Sequence, residues 1–254
     1  MPYIGTEPAP QALTTGDLGD DIVTLAKMAS GTDGQIITYD ASGNPTAVGP
    51  GTDGQVLTST GAGSPPAFEA AASPALSFVS TSVASDTASI AFTGVDDSAD
   101  VWMIQGSGIR PATDNANMYI RHSTDGGSSY VSSSSAYGWI VDINYSTTTD
   151  TTKGSTGDTE IHLSGTDPGH IDNTFAGSNF NFTLYIFDPS DSAICTTMSW
   201  TGGKTHGSSA YSSTYTYDGA GSVAAAGASD AFQFLMSSGN ISTGRFSLYK
   251  LAHS

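Results

Sequence analysis

The sequence predicts an all-β chain: a C-terminal antiparallel β-sandwich of jelly-roll type, preceded by a short helix and a repeat shaft. Three observations lead there. The composition is only 12% charged with 30 glycines, and Lys, Glu and Arg, the residues that favour helices, are scarce. Segments rich in Val, Ile, Thr, Tyr and Phe recur at sandwich-like intervals along the C-terminal two thirds, separated by Gly/Ser/Asp turns. Finally, GTDGQIITYDASGNPTAV (31–48) is followed by GTDGQVLTSTGAGSPPAF (51–68), in which nine of eighteen aligned positions are identical. A short period of this kind marks a supersecondary unit strung along an axis.

Residues 1–19 are polar, with Pro and Gly, and carry no core. The segment DDIVTLAKMA (20–29) reads as a helix: Asp20 and Asp21 suit a helix N-terminus, and Ile22, Leu25, Ala26 and Ala29 form one stripe. Three turns are not stable alone in water, so this stripe is expected to pack on another copy or a partner. In each repeat Thr-Asp-Gly supplies a turn in which Asp can fold onto the backbone and Gly accepts positive φ. A short β-run then carries Ile36 and Ile37, or Val56 and Leu57. Two repeats are too few to bury a core by themselves, so these apolar pairs require neighbours from sister chains. EAAASPA (69–75) reads as a linker. The organisation expected is therefore 1–30, 31–72 and 76–254.

From Leu76 the expected strands are 76–83, 88–94, 100–109, 117–123, 128–131, 137–146, 159–165, 180–188, 193–200, 212–217, 230–236 and 244–252, with Asp125-Gly126-Gly127 as a hairpin turn. In FNFTLYIF, Phe180, Phe182, Leu184 and Ile186 share one face and Asn181, Thr183, Tyr185 and Phe187 the other. Cys195 is the only cysteine, which excludes an intrachain disulfide and suggests a buried, inert thiol in a strand.

Seven basic residues against 24 acidic ones give a net charge of −17. Phosphate recognition needs clustered Lys and Arg, so nucleic acid is not an expected partner, nor is an anionic membrane surface. The start MPYIGTEPAP lacks the pattern of a secretory signal, and no run is long and apolar enough to span a bilayer. No catalytic constellation emerges: GSG (106–108) lacks the nucleophile-elbow spacing, and the many Asp residues form no marked pair. His122, His162, His170, His206 and His253 are scattered without a metal-binding spacing, and His162 is expected to face solvent. The DDSAD run (96–100) lacks the order of a calcium loop and reads as a solvated turn. No enzyme activity, cofactor or metal is expected. For surface chemistry, aromatic faces beside hydroxyl-rich loops suit sugars, which singles out Tyr137, Trp139, Trp200, Tyr211, Tyr215 and Tyr217.

Three stretches together resemble bacteriophage fibre proteins, tail or head fibres of marine and cyanobacterial phages. They are the YIG start leading into DIVTLAKMASGTDGQ, the GTDGQ repeats, and the C-terminal series from Arg110 to Tyr130 with the ending SSGNISTGRFSLYKL (237–251). The resemblance implies a homotrimer on the virion surface. Residues 1–30 would dock on other virion proteins, Ile22 and Leu25 there and Ile36, Ile37, Val56 and Leu57 in the shaft would lie at the trimer interface, and a jelly-roll-like tip would meet a host glycan or protein. A capsid-decorating head fibre with a structural role is the alternative, and a particle-borne glycan hydrolase a more distant one.

Overall fold

In the computed structural model, the residues described are 12, 14–19, 22–23, 28–72, 74–146, 150–166, 170–175, 177–207 and 213–251. The chain divides into two compact units, Met1–Ala72 and Ser73–Ser254. Every strand pairing is antiparallel, and no α-helix occurs among the described residues. A single 3-10 turn, Thr15–Asp17, is closed by the Asp17 carboxylate, which accepts from the Thr14 amide at 2.8 Å.

The helix expected over 20–29 is not seen where it can be followed. Ile22, Val23 and Met28–Ser30 are non-helical, while Asp20, Asp21 and 24–27 lie outside the described residues. Ile22 and Val23 are exposed, and a lone three-turn helix without a surface to bury its stripe has no source of stability.

In the first unit each repeat forms one hairpin. Strands β1 (Ile36–Tyr39) and β2 (Pro45–Val48) pair, as do β3 (Gln55–Thr58) and β4 (Ala67–Ala70). The recurrence of Thr-Asp-Gly-Gln has a direct cause. Gln35 N donates to Thr32 O at 3.1 Å with Gly34 at φ 78°, a type II geometry, and Gln55 N donates to Thr52 O at 3.1 Å with Gly54 at φ 82°. In both copies the Gln side chain accepts from the Thr amide at 2.8 Å. It is thus Gln, not the expected Asp, that folds back onto the turn. The two hairpins differ beyond this point. Ile36 faces Val48, whereas its counterpart Val56 faces Glu69, one residue past the position that the repeat would give. The first connection is short and closed by Asp40, whose Oδ1 accepts from Ser42 N and Asn44 N. The second runs through Gly61 and Gly63, both at positive φ, and so permits the slip.

The second unit holds two sheets. The larger contains β5 (Leu76–Thr87), β7 (Val101–Pro111), β9 (Tyr137–Tyr145), β10 (Thr151–Asp158), β12 (Phe180–Phe187), β13 (Thr197–His206), β14 (Ser213–Val223) and β16 (Ile241–Leu251), in the order β10-β9-β14-β13-β12-β7-β16-β5. The smaller contains β6 (Ser89–Thr93), β8 (Met118–Ser123), β11 (Ile161–His162) and β15 (Ala231–Met236), ordered β11-β8-β15-β6. Rings from both sheets meet in one core. Phe182 of β12 stacks on Phe234 of β15 at 5.6 Å, and Phe234 lies 5.3 Å from Phe246 of β16. The alternation read in FNFTLYIF holds: Phe180, Phe182, Leu184 and Ile186 are buried and the intervening residues are not. Two glycines make room for large rings on the neighbouring strand. A Cβ on Gly219 would stand 2.3 Å from its cross-strand partner Trp200, and one on Gly106 would stand 2.4 Å from Phe182.

Several expected strands change. Residues 128–131 form none, and the chain at Asp125-Gly126-Gly127 passes from β8 in the smaller sheet to β9 in the larger rather than making a hairpin between paired neighbours. Asp125 organises this passage, accepting from Ser129 N at 2.9 Å and Ser129 Oγ at 2.6 Å, and these bonds with that of Ser123 hold its carboxyl down at about 2. The stretch 159–165 keeps only the two residues of β11, and β13 begins at Thr197, leaving Cys195 half-buried ahead of it. Strand β10, TTKGSTGD, has no apolar side chain to announce it; its backbone pairs with β9 at the sheet edge.

Candidate functional site

The aromatic residues expected to bind sugar are, where described, interior. Tyr137 is fully buried, Trp200 and Tyr217 are each 1% exposed, and Trp139 and Tyr215 are also buried; Tyr211 lies outside the described residues. Each has a structural partner. Trp200 Nε1 donates to Leu163 O at 2.9 Å, and Tyr217 meets Phe180 edge-on. Tyr215 lies under the Lys204 ammonium, 4.3 Å from the ring centroid. The inward turn is the physical correction. Tyr215 and Tyr217 alternate with polar residues as exposed residues also would, but alternation alone does not say which face of β14 carries the second sheet.

Tyr137 has a further part. Its hydroxyl donates to Val131 O at 2.8 Å and accepts from His122 N at 3.0 Å, tying β8, β9 and the connection between them. Burial drives its phenol up to about 12, so it remains a donor at all ordinary pH. Behind it His122 Nδ1 and Ser229 Oγ lie 2.9 Å apart, and Ser229 Oγ is 2.9 Å from Thr196 Oγ1. Burial lowers the proton affinity of His122, with Asp230 opposing. This buried polar network underlies an open cleft of ≈ 410 Å³. Hydroxyls of Thr124, Ser133, Ser134 and Ser135 line one side and the small residues of Val223–Gly227 the other. Ser135, one of the lining residues, sits at φ 66°, a left-handed conformation that costs a non-glycine residue energy.

A second grouping lies where β10 passes to β11. Asp158, Glu160 and His162 bring one potential ligand atom each within 4.8 Å of the others. His162, expected to face solvent, is buried between two rings, Tyr119 at 4.2 Å and Trp139 at 4.5 Å, both stacked on it. Its Nε2 is 3.6 Å from Asp158 Oδ2 and 3.8 Å from Glu160 Oε1, too far for hydrogen bonds, and both ring nitrogens are buried without such a partner. Desolvation lowers its proton affinity, partly offset by the two carboxylates. Both carboxylates are anchored: Trp139 Nε1 donates to Asp158 Oδ2 at 3.1 Å, Arg121 Nη2 to Glu160 Oε2 at 3.0 Å, and Thr159 Oγ1 to the same Glu160 oxygen at 2.7 Å. A signal was present in the sequence. DTEIH spaces Asp158, Glu160 and His162 two apart, which puts them on one side of an extended chain.

Among the described residues, the other histidines belong to no further group of three potential metal ligands. His206 contacts the buried Asp172, the Lys204 ammonium donates to the His170 carbonyl, and His253 lies outside the described residues. Of the interface candidates, Ile22, Ile36, Ile37, Val56 and Leu57 are exposed, and Leu25 lies outside the described residues. No helix among the described residues is long and apolar enough to cross a membrane. No protein-family model, curated protein or solved structure matches this chain.

Proposed function

We propose that the chain is a structural fibre of a bacteriophage virion: a homotrimer that docks through residues 1–30 and presents its C-terminal unit to the host surface. The observation that carries this reading is the pair of GTDGQ hairpins. Both are closed by the same turn bonds, yet Ile37 is 59% and Tyr39 66% exposed, with Ile36, Val56 and Leu57 also uncovered. Apolar side chains repeated in a regular unit and left bare within one chain call for sister chains. Strand β5 supports the same reading. It is a twelve-residue edge strand whose only charged residue is Asp86, and Leu76, Phe78, Val79 and Val83 are exposed along it. Edges of this kind are normally blunted by charge or covered by another chain.

In this reading 31–72 is a trimeric shaft, and the eight- and four-stranded sheets form an unequal, jelly-roll-like β-sandwich at the tip. The tip binds and does not catalyse. With the aromatic candidates buried, the hydroxyl-lined cleft at Ser133–Ser135 takes their place as the surface for a host glycan. The net charge of −17 disfavours anionic ligands there and favours neutral sugars. Light scattering on the full-length chain tests the assembly: a mass three times the 25.9 kDa of one chain is expected, and a monomer would sink the fibre reading.

A further inference from the structure

The Asp158–Glu160–His162 grouping has a chemistry that attachment does not use. A buried imidazole ordinarily satisfies at least one nitrogen with a hydrogen bond. The His162 side chain is only 9% exposed, stacked on both faces, and aims Nε2 between two carboxylate oxygens that offer it no proton and lie beyond hydrogen-bond reach. Both carboxylates are held in place by other donors: for Asp158 the Thr159 amide binds Oδ1 while Trp139 Nε1 binds Oδ2, the oxygen that also faces His162, and for Glu160 Arg121 and the Thr159 hydroxyl both bind Oε2. Such partners are what orient metal ligands, and Glu160 Oε1 is left facing inward.

The spacing fits a small divalent cation. Nitrogen and oxygen ligands at 2.0–2.2 Å from a tetrahedral zinc ion stand about 3.3–3.6 Å apart. The distances of 3.6 and 3.8 Å from His162 Nε2 to the two oxygens need close by only a few tenths of an ångström, and the two carboxylate oxygens, which lie within 4.8 Å of each other, draw together on the ion. One imidazole and two carboxylates make a borderline donor set suited to zinc or a similar first-row ion rather than to calcium, which takes oxygen alone. The two carboxylates outweigh the single Arg121 guanidinium, so the pocket has net negative charge for a cation to meet. An approach from solvent exists on the Asp158 side, where that side chain is 27% exposed.

We propose that Asp158, Glu160 and His162 form a structural site for a divalent transition-metal ion of the zinc class, with its fourth position taken by water. Asp158 ends β10 at the edge of the eight-stranded sheet, and His162 lies on β11 at the edge of the four-stranded one. The ion clips the two sheet edges together at the point where the chain passes between them.

The test uses the full-length protein freed of metal with a chelator and titrated with zinc chloride in a calorimeter, with cobalt(II) as a visible-absorbing substitute. A single ion per chain, a raised melting temperature, and a cobalt spectrum of low-coordinate N/O ligation are expected. Asp158→Asn keeps an acceptor for Trp139 and should weaken binding at least about tenfold, as should His162→Gln. Should His162→Gln fail to fold, because its ring is part of the stack, Asp158→Asn still decides. Absence of stoichiometric binding overturns the proposal, and so does binding of unchanged affinity in Asp158→Asn.

Discussion

The two units use one vocabulary of short strands, glycine turns and Thr/Ser surfaces, and reach opposite results with their apolar side chains. In the hairpins of 31–72, Ile37 and Leu57 have a single neighbouring strand and stay exposed. In 73–254, Phe182 and Trp200 have strands on both sides, Phe182 stacks on Phe234 of the smaller sheet, and both are buried. The difference is one of layers. A two-stranded hairpin has no second surface against which to bury a face, whereas two sheets give each other one. The hairpins contribute a repeated shape, and the second unit contributes stability of its own.

That contrast can be broken most sharply in the core. Trp200→Ala removes a ring that fills the space over Gly219 and orphans the Leu163 carbonyl, and should cost about 3–5 kcal/mol, read as a lower denaturation midpoint of the second unit. If Trp200→Ala left the midpoint unmoved, the packing described for this unit would be wrong. The paired change Ile37→Asp with Leu57→Asp should do the reverse. On the proposed assembly, it should reduce the mass in light scattering from trimer to monomer while the melt of the second unit shifts little. A trimer that survives it would place the assembly contacts elsewhere, for instance on β5.

A smaller effect separates the units by pH. Burial lowers the His122 pKa below its ordinary 6.5, so the unfolded chain takes up the proton first and folding weakens as pH falls through that value. The melting temperature of the second unit should therefore decline by a few degrees between about pH 7.5 and about pH 5.5, and His122→Gln should flatten part of that slope. No histidine occurs in residues 1–72, so assembly through the hairpins should not follow the same curve.

Much of the fold was legible because its signals are local. Alternation in 180–187 marks a half-buried strand by side-chain period alone, and Thr-Asp-Gly marks a turn by what Gly can do at positive φ, although the side chain that closes it is Gln rather than the expected Asp. Strand β10 was not legible, since Thr, Lys, Gly and Ser form an edge strand through backbone pairing and leave no side-chain pattern. The cleft at Ser133–Ser135 was equally silent. Its two walls come from segments some ninety residues apart, and the groups beneath it, Tyr137, His122, Ser229 and Thr196, meet only in three dimensions. The DTEIH spacing was readable in principle, but it lacks the paired histidines or cysteines that mark the common metal motifs.

By itself the sequence determined an all-β chain with a single cysteine, the two turn-and-strand repeats with their apolar pairs, and a net charge of −17. These follow from residue type and near-neighbour spacing, which act before the chain is folded. Only the tertiary structure decided which face of each strand points inward. That choice withdrew Tyr137, Trp139, Trp200, Tyr215 and Tyr217 from the surface and drew His162 in beside Asp158 and Glu160. A strand offers two equivalent faces, and the second sheet, assembled from residues far along the chain, selects the one that is buried.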